Sequence, residues 1–370
     1  MRRSTRPIRA RASQPALITG GAGFIGTNVA ARLVESGRTV RLFDNLARAG
    51  VHMNLQWLRD TYGSRVDVML GDVRDAAAVA RAVDGVSEVY HFAAQVAVTS
   101  SLIDPLFDFS VNAGGTLNLL EALRAMEHPP SLLFTSTNKV YGDLEDVELV
   151  PDGSRYVPAD TDTRMCGISE QRNIDFHSPY GCSKGAADQY VLDYARTFGI
   201  PAVVFRMSCI YGPHQFGNED QGWVAHFLIR ALDEVPITIY GDGLQVRDVL
   251  FVEDLVDAML LAQANMETLA GEAFNIGGGV ERTTSLVELI DTIGPLAGRR
   301  VAVDFDAWRE ADQRYYVSDT RKFGEATGWS PHVSVADGVR ALHDWLCTSR
   351  HATAPFRSAP FAVHPQTGVA

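Results

Sequence analysis

A short apolar run, Ala16-Leu17-Ile18-Thr19, passes directly into Gly20-Gly21-Ala22-Gly23-Phe24-Ile25-Gly26, and from Asn28 to Ser36 apolar residues recur at helical spacing. This order predicts a buried strand, a tight glycine turn and a helix. Such a unit points backbone N–H groups out of a helix N-terminus, where the peptide dipoles favour negative charge. Gly20, Gly23 and Gly26 carry no β-carbon, so a pyrophosphate can approach that backbone closely. Their Gly-x-x-Gly-x-x-Gly spacing is shifted by one residue from the commoner dinucleotide fingerprint.

A second strand, Thr39 to Phe43, stops at Asp44, whose carboxylate is placed to accept both hydroxyls of an adenosine ribose and would repel a 2′-phosphate. NAD is therefore expected over NADP, although Arg41 and Arg48 work against the charge argument and a plain strand-end turn is the other reading of Asp44. The alternation continues through Arg65 to Leu70, ending at Gly71-Asp72-Val73, and Glu88 to Phe92, ending at Ala93-Ala94. A long helical stretch from Pro105 to Met126 leads to a fifth strand, Ser131 to Thr135, which delivers Ser136, Thr137, Asn138 and Lys139 to the same edge. The expectation is a doubly wound parallel α/β sheet of the Rossmann kind, with ligands at the C-terminal ends of its strands.

Tyr180 and Lys184 sit four residues apart in Ser178-Pro179-Tyr180-Gly181-Cys182-Ser183-Lys184, where Pro179 suits a first helical turn. The two side chains share one helix face. A free phenol has a pKa near 10, so a tyrosine acting as base at neutral pH needs roughly 4 kcal/mol of preferential stabilisation of its phenolate. An adjacent ammonium and a bound cationic ring can supply it.

The 33 basic and 45 acidic residues leave a net charge of −12, which argues against nucleic acid or an anionic membrane as partner and means that any anionic ligand is held locally. Cys166, Cys182, Cys209 and Cys347 show no metal-site or disulfide spacing, so no metal and reduced cytoplasmic thiols are expected. The arginine-rich residues 1–14 lack an apolar signal-peptide core and read as a flexible extension; residues 349–370 read as a flexible tail.

The runs Thr19 to Gly26, His91-Phe92-Ala93-Ala94, Ser136-Thr137-Asn138-Lys139-Val140-Tyr141-Gly142 and the Tyr180/Lys184 pair together resemble the extended short-chain dehydrogenase/reductases acting on nucleotide sugars. The likeness runs from about Pro15 to Trp345. It implies a catalytic set of Thr137, Tyr180 and Lys184, with Ser136 able to share the role of Thr137. It also implies that Lys184 holds the nicotinamide ribose while depressing the tyrosine pKa. Phe24, Ile25, Asn45, Asp72, Val73, Ala93 and Ala94 then join the glycines and Asp44 around the cofactor, and Gln95, Ser136, Thr137 and Asn138 face substrate. Cys209 stands where many relatives carry an Asn that contacts substrate phosphate or the nicotinamide edge, which leaves its role open. Arg247 and Arg314 match diphosphate ligands, and guanidinium forks suit phosphate oxygens.

Gln215 to Val224, Asp175 to Tyr190 and Ser136 to Asp143 narrow the resemblance to the branch that epimerises carbon 2 of CDP-paratose or a related CDP-deoxyhexose in deoxysugar biosynthesis. Asp220, Gln221 and Trp223 then shape the sugar pocket, unless the loop only starts a helix with Trp223 as core filler. A 4-epimerase using the same groups is the rival. A 4,6-dehydratase is disfavoured, since those relatives place Asp-Glu where this chain has Asn138-Lys139. A non-catalytic NAD-responsive module is the reading outside enzymes.

The polar insertion between Gly142 and Ser178 is long for a connection, which points to a functional or mobile segment able to form a lid; Glu170, Asp175 and His177 are candidate substrate contacts, with a solvated loop as the other reading of each. Residues 15–207 with 244–264 are assigned to the NAD domain, Val246 to Phe251 being taken back into its main sheet, and 208–243 with 265–348 to a smaller C-terminal sugar-nucleotide lobe. The helices of 105–126 and 180–198 resemble those of a four-helix dimer interface in this family, so a homodimer is expected.

Overall fold

In the computed structural model of the chain, residues 14–309 and 312–353 are described. The arginine-rich stretch 1–13 and residues 354–370, expected to be flexible, lie outside the described residues. Ser349 to Thr353, assigned to the tail, instead continue the terminal helix Val335–Thr353.

Seven parallel strands form the main sheet: β1 (Ala16–Thr19), β2 (Val40–Asp44), β3 (Val66–Leu70), β4 (Glu88–His91), β5 (Ser131–Thr137), β6 (Ala202–Met207) and β7 (Ala273–Ile276). Their order is β7-β6-β5-β4-β1-β2-β3. Side chains alternate across it, so Ile18 joins the core on one face and Leu17 the core on the other, both fully buried. Burying one such side chain contributes about 1.5–3 kcal/mol. The chain runs outward through β2 and β3, then crosses to β4 on the far side of β1. This reversal opens a crevice at the C-terminal ends of β1 and β4, where Thr19 pairs with His91.

Two expectations about the sheet change. Val246–Phe251 does not return to it but is central in a small sheet, parallel to Cys209–Tyr211 and Tyr315–Tyr316 and antiparallel to Thr283–Ser285. Ala273–Ile276, assigned to the lobe, is the seventh main strand and pairs with β6. Both segments are wholly buried apolar-rich runs, so their pattern alone does not distinguish the partners.

The stretch from Pro105 is not one regular helix: Pro105–Phe109 and Gly115–Arg124 are joined by a wider π turn, Ser110–Gly114. The insertion forms a hairpin (Leu149–Asp152 with Arg155–Pro158) and a short helix, Thr161–Cys166, pinned to the lobe through Tyr156 N–H to Leu244 O at 2.9 Å and Ile168 N–H to Val317 O at 2.7 Å. It is a packed wall rather than a loose lid. No described helix is long and apolar enough to cross a membrane.

Candidate active site

The glycine turn meets the end of β4 at backbone contact. Gly20 has a φ of +67°, and a β-carbon there would lie 2.8 Å from Ala93 N; one on Gly26 would lie 2.5 Å from Gly20 O. Gly23 would meet only Gly20 O, at 3.1 Å, so its outer side is open. The Thr19 hydroxyl joins the two strands, 2.6 Å from His91 Nδ1 and accepting from Phe92 N and Ala93 N at 3.2 Å. Burial, and secondarily Lys184, hold His91 down to about 3, so it is neutral.

Asp44 closes the other side of the turn, accepting from Ala22 N at 3.0 Å and Leu46 N at 2.8 Å. Burial raises its carboxyl, against those backbone bonds and Arg48. Asn45 donates to Asp72 at 3.0 Å, and Asp72 is paired with Arg74 at 2.8 Å, whose hydrogen bonds hold its carboxyl well below the usual range. Val73 is buried under Gly115. An open glycine cradle with a carboxylate at the next strand end fits a dinucleotide with a free ribose diol.

The helix Ser178–Phe198 packs against β5 and β6. Tyr180 N–H donates to Ser101 Oγ at 3.1 Å, and Gly185 admits the Phe176 ring where a β-carbon would lie 2.3 Å away. Tyr180 and Lys184 line one cleft of about 260 Å³ together with Ser136, Thr137, Gly23 and Gly26. The Thr137 hydroxyl donates to Asn138 Oδ1 at 3.3 Å and accepts from Lys139 N at 3.2 Å. Lys184 Nζ donates to Thr135 O at 2.6 Å and lies 4.3 Å from the Phe134 ring centroid. Burial pushes Tyr180 up to about 12, opposed by Thr137 and Arg48, and pushes Lys184 down to about 7, opposed by Asp188 and Asp108. The Lys184 ammonium is turned to the Thr135 carbonyl, while Asp108 raises the phenol and Arg48 lowers it.

On the substrate side, Asn138, Cys209, Gln221 and Trp223 line the same cleft. Ser136 Oγ is buried there with no hydrogen-bond partner among the described residues. Asn138 donates to Gln313 Oε1 at 3.2 Å. Arg247 is buried, with its guanidinium 2.8 Å from Asp312 and donating to Gln313 O; Lys139 Nζ is 3.9 Å from the same carboxylate. Burial raises the Cys209 thiol, against Arg247, Trp223 and Lys139.

A model of the "NAD dependent epimerase/dehydratase family" matches residues 16–277. The chain belongs to that family. It is 44% identical to the CDP-paratose 2-epimerase of Salmonella typhi over 336 residues, covering 89% of this chain and 98% of that one. It is 30% identical to a putative UDP-glucose 4-epimerase of Methanocaldococcus jannaschii, covering 89% and 97%. Among solved structures, the UDP-glucose 4-epimerase of Thermus thermophilus in complex with NAD superposes with a TM-score of 0.75 at 32% identity, covering 90% and 99%. As a member of this family the chain uses NAD, the cofactor that Asp44 points to.

Other residues of the family pattern sit apart from the cleft lining. Gln95 is turned back on Ala97, and Ala93 is held behind Gly20. Arg314 is exposed, and its guanidinium lies 4.8 Å over the Trp308 ring. In the insertion, Glu170 accepts from Asn275 N at 2.6 Å, Asp175 N–H donates to Val140 O, and His177 faces Asp143 at 3.2 Å. Arg48, which the sequence marks only as a charge near Asp44, lines the cleft and donates to Gln221. Its sequence neighbourhood carries no signal for that role, because its partner is 173 residues away.

Proposed function

We propose that this chain inverts carbon 2 of a CDP-activated deoxyhexose, CDP-paratose or a close relative, by oxidation to a ketone and re-reduction from the opposite face. The observation that carries it is the meeting of Thr137, Tyr180 and Lys184 on one wall of a cleft whose other wall is the glycine turn. NAD, when bound, supplies the hydride acceptor and donor within one site. The Tyr180 phenolate takes the proton of the carbon 2 hydroxyl and later returns it, while Thr137 steadies the same oxygen. Burial raises the Tyr180 phenol to about 12, so positive charge in the cleft must lower it before it acts as base. Arg247 and Lys139 offer two cations to the sugar-nucleotide diphosphate, with Asp312 as the internal anion that it displaces. Similarity over nearly the whole of the CDP-paratose 2-epimerase relative supports carbon 2 and the cytidine nucleotide.

The 4-epimerase reading keeps one support, the relative and the structure described as UDP-glucose 4-epimerases. One experiment addresses both: CDP-paratose deuterated at carbon 2 is incubated beside UDP-glucose, and products are followed by NMR. The expected result is a carbon 2 epimer that keeps its deuterium and no turnover of UDP-glucose. Label lost to solvent, or turnover of UDP-glucose alone, would overturn it.

The proposal extends to a cytoplasmic homodimer. Leu102, Ile103, Leu106, Phe107 and Phe109 are exposed, Ile103 at 85% and Leu106 at 84%, on segments packed against the catalytic helix, which itself exposes Tyr190 and Phe198. An apolar surface of this kind beside two adjacent helices favours burial against a second copy.

A further inference from the structure

The cleft is lined in part by a strap, residues 213–222, that leaves the small sheet after Tyr211 and enters the helix Trp223–Asp233 of the lobe. The strap is fastened to the NAD domain at several points. Asn28 Nδ2 donates to Pro213 O at 3.0 Å. Asn54 Nδ2 donates to His214 O at 3.1 Å, its Oδ1 is 3.2 Å from His214 Nδ1, and the His214 ring lies 4.2 Å from that of Trp57. Gly50, at φ +85°, admits the Phe216 ring where a β-carbon would come within 2.6 Å. The far end is fastened to the lobe, with Glu219 3.2 Å from Arg309.

The last fastening crosses the cleft. Arg48 Nη2 donates to Gln221 Oε1, and both residues line the cleft with Gly20 and Gly23. Gln221 is held in place by a turn in which its N–H donates to Asn218 Oδ1 at 2.9 Å. Among the described residues lining the cleft, the cations are Arg48 and Lys184, and Lys184 is committed to the Thr135 carbonyl. The glycine turn offers a dinucleotide N–H groups but no full positive charge, in a chain of net charge −12. Arg48 acts electrostatically on both Asp44, at the ribose end, and Tyr180, at the hydride-transfer end. It lines the cleft together with Gly20, Gly23 and Tyr180, along which a bound dinucleotide would run.

We propose that Arg48 is a dinucleotide-binding residue that neutralises the cofactor pyrophosphate and, through Gln221, clasps the 213–222 strap over it, so that NAD stays bound from one turnover to the next. The proposal rests on the family's NAD binding and adds the residue that retains it. An epimerising redox cycle needs such retention, because NADH lost at the ketone stage strands an oxidised sugar.

The test uses the full-length protein loaded with NADH and chased with excess NAD, following loss of NADH fluorescence. Arg48→Ala is expected to speed release about 10- to 100-fold, the range for losing a charge-assisted hydrogen bond. Gln221→Ala should speed it by a smaller factor, and the double variant should release no faster than Arg48→Ala, since the two side chains make one contact. Arg59→Ala, an exposed arginine of the neighbouring helix, serves as control and should match the wild type. An unchanged unfolding midpoint of each variant without cofactor separates clasping from folding, and Gln221→Ala provides a second arm should Arg48→Ala unfold. Wild-type release as fast as that of Arg48→Ala overturns the clasp while leaving the NAD assignment standing. A wild type that takes up no NADH removes that assignment and the clasp with it.

Discussion

Lys184 Nζ lies 2.6 Å from the carbonyl oxygen of Thr135, two residues before Thr137 on the same strand. The bond pins the catalytic helix to β5 and fixes where Tyr180 stands relative to Thr137. It also satisfies one proton of a buried ammonium, and burial still holds that group at about 7.

A pH dependence follows for the cofactor-free protein. The folded value near 7 is below the 10.5 of an unperturbed lysine, so between those limits the unfolded chain binds more protons than the folded one. Stability should therefore rise with pH across that window, by about 1.4 kcal/mol per unit, while below pH 7 the folded chain bears the whole cost of the buried charge. Urea unfolding of wild type and Lys184→Met at pH 6 to 9 checks it; parallel profiles would contradict it.

Tyr180→Phe removes the base and keeps the ring. We expect the turnover rate to fall about 10²- to 10⁴-fold with NAD binding nearly unchanged. Steady-state rates together with NADH titration separate the two effects, and a fully active variant would end the assigned role.

Arg247→Ala should raise KM for the sugar nucleotide about 10- to 100-fold with a smaller change in kcat, because a diphosphate is gripped alike in ground and transition states. Asp312→Asn should relieve the competing ion pair at 2.8 Å and leave KM equal or lower. A kcat effect without a KM effect in Arg247→Ala would place this arginine in the chemistry instead.

Beneath the catalytic helix, Asp188 and Arg206 form a buried ion pair at 2.9 Å. Asp188→Ala leaves the guanidinium buried and uncompensated and should cost about 3–5 kcal/mol. Denaturant melts will show whether Asp188→Leu with Arg206→Met recovers most of that loss, as expected if the penalty is the orphaned charge.

Ile103→Glu with Leu106→Glu should shift the protein toward monomer in light scattering at micromolar concentration, since a stable interface cannot bury two unpaired carboxylates. A wild type that is monomeric at that concentration would remove the dimer proposal.

The chemistry carried by short stretches is legible along the chain. The strand, glycine turn and helix around Gly20 to Gly26, Asp44 at the next strand end, and Tyr180 with Lys184 one turn apart depend on backbone geometry and spacing within a few residues, and they stand where that geometry predicts. Relations between residues distant along the chain are not legible in this way. Val246–Phe251 and Ala273–Ile276 are equally buried strands, and only their neighbours tell which one completes the main sheet. The meeting of Arg48 with Gln221, the stacking of Arg314 on Trp308 and the burial that moves Tyr180 and Lys184 in opposite directions are likewise invisible locally. Strand propensity and turn chemistry act over a few residues, whereas pairing partners and the solvation of a charge are properties of the whole packed chain.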